Sequence, residues 1–243
     1  MGERNKNMSQ RINYQKELEN LHQSMIRMGS DVEESIHLAV LALTENDVEL
    51  ATKVIDRDDI IDDQERKITQ ECILLIARQQ PVASDLRNIA ANMKLVTDLE
   101  RVADHAEDIA EHVVFLNDKN YSVVVPHDVV KLTEHTLKMI HAVLDAYVES
   151  NLDKAKQIVM MDIRVNALYG KLKKYLVRQM KLDPEGAPAM VEMLLVCKHL
   201  ERIGDHAKNI AEWIVYFIEG EYITSSEIRK EVESNEKGRG SSE

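Results

Sequence analysis

Glu100, Asp104, Glu107 and Glu111 follow one another at intervals of three and four residues. On a helix, with Glu100 at zero, they fall at about 0°, 40°, −20° and 20°, one narrow acidic stripe. Leu99, Ala103, Ala106, Ile109, Ala110 and Val113 fall on the other side, between about 180° and 300°. The stripe therefore borders the core face. Like charges at i,i+4 cost a few tenths of a kcal/mol on an isolated helix, and half-burial raises the cost unless a cation neutralises them. A neighbouring Lys or Arg could do so, with Arg101, Arg87 and Lys94 as candidates. So could a metal ion, because hard cations take carboxylate oxygens and adjacent helices can converge them on one point. Asp58, Asp62 and Glu65 make a second stripe of the same kind.

Both stripes recur. Leu99–Leu116 (LERVADHAEDIAEHVVFL) and Leu200–Phe217 (LERIGDHAKNIAEWIVYF) agree at ten of eighteen positions. Glu100, Arg101, Asp104, His105 and Glu111 return as Glu201, Arg202, Asp205, His206 and Glu212. A repeat kept only for packing would preserve mainly its buried face. Residues 51–68 (ATKVIDRDDIIDDQERKI) align with 155–172 (AKQIVMMDIRVNALYGKL), placing Asp162 on Asp58 and Asn166 on Asp62. Asn166 supplies no charged ligand, and Lys208 stands where the first copy has Glu107. The second set should therefore hold fewer or weaker ions. His105 and His206 lie about 140° from the leading Glu and read as surface or interhelix histidines. No Glu-x-x-His pair of the di-iron type begins at Glu100 or Glu201. Neither a nucleophile–base pair nor a glycine-rich phosphate loop is visible.

Long helices must position these residues. Gly (8) and Pro (4) are scarce and aromatics make up 4 %, which favours unbroken helices over a sheet. Helical periodicity predicts helices over about 9–44, 48–78, 82–116, 129–148, 153–180 and 189–219. The expected fold is all-α: two tandem, structurally repeated three-helix bundles, at 10–120 and 121–223. Residues 1–9 are expected to be flexible and 224–243 to form a disordered tail. Within the first helix, Gly29 marks a weak spot or a point of close packing.

A net charge of −12 argues against general nucleic-acid binding. Cys72 and Cys197 have no Cys or His at zinc-finger spacing and read as buried thiols of a reducing compartment. The N-terminal stretch has no apolar segment of a signal peptide, and no apolar run reaches membrane-spanning length. A cytoplasmic protein without membrane insertion is expected.

The run Pro81-Val82-Ala83-Ser84-Asp85-Leu86-Arg87, then Asp98-Leu99-Glu100-Arg101-Val102-Ala103-Asp104-His105, resembles the PhoU family, as does the second copy, Leu200-Glu201-Arg202-Ile203-Gly204-Asp205-His206. The resemblance spans about residues 12–223, although PVAxDLR has no clear counterpart in the second half. It implies a non-catalytic negative regulator of phosphate uptake and phosphate-starvation signalling. Such a protein links the ATPase subunit of the phosphate ABC transporter to a sensor histidine kinase, and a homodimer is expected. It also implies multinuclear metal sites on E(D)xxxD motifs, with iron as the described example and manganese, magnesium or zinc as further possibilities. Carried onto this sequence, the motifs are Asp58/Asp62 and Glu100/Asp104, then Asp162/Asn166 and Glu201/Asp205. The alternative class is a metal-storage bundle or a metalloenzyme without a signalling role; an enzyme needs an open coordination position and a pocket.

Overall fold

The computed structural model describes residues 2–121 and 124–240, with side chains for 12–121 and 124–235. Seven helices account for its secondary structure: α1 (Gly2–Glu45), α2 (Val48–Gln79), α3 (Ser84–Asp118), α4 (His127–Val148), α5 (Leu152–Leu182), α6 (Ala187–Glu219) and α7 (Ser225–Gly240). Helices α1, α2 and α3 pack on one another as one bundle, and α4, α5 and α6 as a second. The bundles meet chiefly along α3 and α6, with α1 also touching α4.

Matching turns begin α2 and α5. Asn46 and Ser150 take positive φ (54° and 49°), and the next residue caps the helix. Asp47 accepts from the amides of Glu49 and Leu50 at 2.9 and 3.0 Å, and Asn151 accepts from Lys154 N–H at 3.1 Å. Such a cap satisfies orphan donors and contributes about 1 kcal/mol.

A seven-residue rhythm explains how α2 packs. Ala51, Val54, Ile61, Ile68, Cys72 and Leu75 are all buried, at alternating spacings of three and four that leave out Asp58 and Glu65. Those two acids occupy seam positions where apolar knobs belong. In α5 the same seam runs Ala155, Ile158, Asp162, Val165, Tyr169, Leu172 and Leu176, so Asp162 stands at the equivalent point. Helix α3 is buried along two flanks because it faces both its own bundle and α6. Its expected core face is buried throughout, as are both cysteines.

Two stretches depart from expectation. Helix α1 starts at Gly2, so the segment expected to be flexible continues the helix; its side chains lie outside the described residues. From Ser225 the chain forms α7 where a disordered tail was expected. Its polar composition hides one fully buried residue, Ile228, and two charged groups that the second bundle needs. Ser122, Val123 and residues 241–243 lie outside the described residues. Gly29 is a point of close packing: a Cβ there would meet Leu144 of α4 at 2.5 Å.

Candidate metal centre

In the first bundle the α2–α3 seam is acidic and underneutralised. Asp58 and Asp62 on α2 and Asp104 on α3 bring carboxylate oxygens within 4.8 Å of one another. Glu100 and Glu107 flank Asp104 by one helical turn on either side, and Glu65 stands one turn along α2. Cations reach only the rim. The Arg101 guanidinium donates to Asp104 at 2.6 Å and lies 3.3 Å from Glu100, with its side chain more than half exposed. Arg66 lies 3.7 Å from Asp62 and is bound more closely, at 2.7 Å, to Asp63 outside the cluster.

The consequence is proton uptake. Burial pushes the Glu100 carboxyl up to about 7, assisted by the charges of Asp104, Asp62 and Glu65 against the pull of Arg101. Burial with Asp104 and Asp62 raises Asp58 to about 6. Glu107 rises to about 7 through burial and the charges of Asp58 and Glu111, and shares a hydrogen bond with Asp58. One buried oxygen of Asp58, Oδ1, has no partner. An orphaned carboxylate oxygen in a cluster that prefers protons is what a hard cation satisfies, so these residues fit a carboxylate-bound metal.

These shifts fix a pH response of the metal-free fold. A carboxyl raised in the folded state binds protons there that the unfolded chain has released, so its contribution is full below about pH 4 and lost as pH rises through about 7. His105 and His199 are shifted down by burial and slope the opposite way. The test is therefore a difference. With chelator present, the melting temperature of the wild type minus that of Asp58→Asn/Glu100→Gln/Glu107→Gln should fall between pH 5 and pH 8. A flat or rising difference would show that the seam is not strained by its own charge.

The second bundle places the matching residues quite differently. Asp162 is fully buried, and the Arg229 guanidinium of α7 donates to its Oδ2 at 2.7 Å. The Asn166 amide donates to the same oxygen at 3.0 Å, and the Lys208 ammonium lies at 3.5 Å. Burial pushes the Asp162 carboxyl up while Lys208 and Arg229 pull against it. Lys208 also donates to Asp205 at 2.7 Å, Arg202 lies 3.9 Å from Asp205, and Lys198 pairs with Glu201. Each acid that aligns with the first seam thus has a cation from the chain itself, although Asp162 Oδ1, like Asp58 Oδ1, has no partner. Lys208 was legible as the replacement of Glu107. Arg229 left no signal, because its segment reads as solvated.

Further contacts hold α7. Lys156, largely buried on α5, donates to Glu219 and Glu231, each at 2.9 Å. Glu212, the repeat of Glu111, accepts from the Ser225 amide at 2.7 Å, from the Ser225 hydroxyl and from Tyr222 OH at 2.8 Å. It thereby fixes the turn between α6 and α7.

Fold and seam together define a class: a duplicated three-helix bundle with carboxylates between its second and third helices. The PhoU domain model matches twice, at residues 25–113 and 129–214. The chain belongs to the PhoU family. It is 42 % identical over 215 residues to the phosphate-specific transport system accessory protein PhoU homolog of Clostridium acetobutylicum, covering 86 % of this chain and 96 % of that protein. Identity to the Escherichia coli accessory protein PhoU is 32 % over 217 residues, 89 % of each chain. The crystal structure of PhoU from Pseudomonas aeruginosa superposes with a TM-score of 0.83 at 36 % identity, over 86 % of this chain and all of that one. The phosphate transport system regulatory protein PhoU of Streptococcus pneumoniae gives a TM-score of 0.81 at 31 % identity, over 86 % and 99 %. The first two of these relatives are named as accessory proteins of phosphate-specific transport. Among the described residues no helix is long and apolar enough to cross a membrane.

Proposed function

We propose that this protein is a cytoplasmic negative regulator of phosphate uptake, docking on the ATPase subunit of a phosphate ABC transporter and on a sensor histidine kinase. The observation that carries the reading is the paired domain match, together with relatives named as accessory proteins of phosphate-specific transport that align over nearly their whole length. Assembly as a homodimer belongs to the same reading, and sedimentation of the purified chain tests it.

Within that role we assign a metal site to the first bundle, held by Asp58, Asp62, Glu100 and Asp104, with Glu65 and Glu107 at its border. Iron, manganese, magnesium or zinc there would supply positive charge and oxygen coordination. Asp58 and Asp62 hold the α2 side, Glu100 and Asp104 the α3 side, and Arg101 closes the solvent edge. Asp162, Glu201 and Asp205 already pair with cations of the chain, which supports fewer or more weakly held ions in the second bundle. Catalysis forms no part of this proposal.

Deleting the gene should derepress phosphate-starvation genes in phosphate-rich medium, measured by transcript levels, and tagged protein should retain the transporter ATPase in a pull-down. Unchanged expression together with no retained ATPase would overturn the regulatory reading and favour a metal-storage role.

A further inference from the structure

Helix α3 carries a second group of ligating side chains on the face turned to α6, about 80–140° round the helix from Glu100. His105 and Asp108 project from α3 towards His199 of α6, where the two bundles meet. His105 Nδ1, His199 Nδ1 and Asp108 Oδ2 form a nearly equilateral triangle. Its sides are 3.2 Å from His105 to Asp108, 3.1 Å from His199 to Asp108 and 3.3 Å between the two nitrogens. A tetrahedral zinc ion about 2.0–2.1 Å from each ligand holds its ligand atoms about 3.3–3.4 Å apart. We propose that this triangle is a site for a zinc-class divalent ion that clamps the first bundle to the second.

The surrounding hydrogen bonds argue for it independently. Glu192 Oε2 lies 2.7 Å from His112 Nδ1, and a carboxylate accepts, so the network assigns that nitrogen the proton. A neutral His112 then presents a bare Nε2, which faces His199 Nε2 at 3.4 Å and needs a donor. His199 Nε2 therefore carries the hydrogen, and His199 Nδ1 turns a lone pair towards Asp108 and His105. Two lone pairs, those of His199 Nδ1 and the Asp108 carboxylate, then face His105 Nδ1, and either a hydrogen on that nitrogen or a cation among the three atoms relieves them. The chain Glu192–His112–His199 is also the outer support that metal-binding histidines use: the second ring nitrogen donates to a partner that sets tautomer and orientation.

The internal repeat supplies a contrast. At an offset of 101, His206 takes the place of His105, Asp98 that of His199 and Asn209 that of Asp108. There His206 Nδ1 lies 2.7 Å from Asp98 Oδ1, and the Asn209 amide lies 3.4 Å from the same oxygen. That set has both donors and acceptors and satisfies itself. Putting histidine at 199 and aspartate at 108 turns the same geometry into a ligand set. Two imidazoles and one carboxylate suit zinc, cobalt or nickel rather than the hard cations of an all-carboxylate seam, and they leave one tetrahedral position for water.

Cobalt(II) is the probe. Protein stripped with chelator and titrated with cobalt should develop the intense visible absorption of tetrahedral coordination, saturating at one equivalent, and zinc should displace it. The band should survive in Asp58→Asn/Asp62→Asn/Asp104→Asn, where the carboxylate seam is dismantled. It should be lost, with at least tenfold weaker binding, in His199→Gln/Asp108→Asn. The proposal is overturned if the wild type gives no tetrahedral band, if the band survives the His199/Asp108 variant, or if it vanishes with the seam. Should the histidine variant fail to fold by circular dichroism, nitrogen-15 spectra of wild-type histidines decide. Zinc should move the Nδ1 resonances of two histidines, and unmoved resonances would mean that a proton, not a metal, bridges the triangle.

Discussion

Chelator should lower the melting temperature of the wild-type protein, and added manganese or iron should restore it. Two unscreened carboxylates about 5 Å apart at an effective dielectric of about 20 repel by about 3 kcal/mol, less where solvent reaches them. Asp58, Asp62 and Asp104 approach that closely, with Glu100 and Glu107 adding to the same field. A ligand at a hundredfold excess over its Kd stabilises by about 2.7 kcal/mol, which for a chain of this size is roughly 5–10 °C. Glu100→Gln/Asp104→Asn should melt as high as or higher than the chelated wild type, because it removes the repulsion, and it should no longer respond to metal. Glu201→Gln/Asp205→Asn should do the reverse: it removes the partner of Lys198 and the closer of the two partners of Lys208, lowers the melting temperature and leaves the metal response intact. If chelator changes nothing and both double variants behave alike, Arg101 and Arg66 neutralise the first seam and it is an ion-paired surface.

Removing α7 should destabilise the second bundle more than its exposed, polar sequence suggests. Truncation after Thr224 takes Arg229 away from the fully buried Asp162, Glu231 away from Lys156, and Ile228 out of the core. Breaking a buried ion pair by removing one partner costs about 3–5 kcal/mol, roughly 10 °C here, since the remaining charge stays buried. Arg229→Ala alone should show much of this loss. Asp162→Asn added to it should recover most of the stability, because a neutral amide needs no cation and Lys208 keeps Asp205. Calorimetry on the four proteins of that cycle measures the coupling. A truncated chain that melts with the full-length one would mean that α7 does not hold Asp162.

The seam also explains why two copies of one motif can follow different chemistries. Asp58 and Asp162 occupy the same position of the same helical rhythm, and each sits where a buried carboxylate must find positive charge. In the second bundle Lys208 and Arg229 supply it. In the first, Glu107 stands in place of Lys208, and the described residues offer Asp58 no cation within ion-pair distance. Neutralisation from outside the chain is then the route that keeps the acid.

Local and periodic features are legible in the spacing of the chain. Helix type, the approximate helix bounds and the acidic stripe beside the core follow from spacings within one or two helical turns, and the duplicated bundle from the return of those spacings about 101–104 residues on. The family follows from motifs of the same reach. Tertiary structure alone decided which charge meets which. Arg229 lies 67 residues from Asp162, and His199 lies 94 residues from His105. No periodicity relates such partners, because their meeting depends on how α7 docks on α5 and how α3 crosses α6. Whether an acidic position is strained or satisfied is set by those long-range neighbours and by the burial they create, so the two repeats look alike in motif and differ in electrostatics.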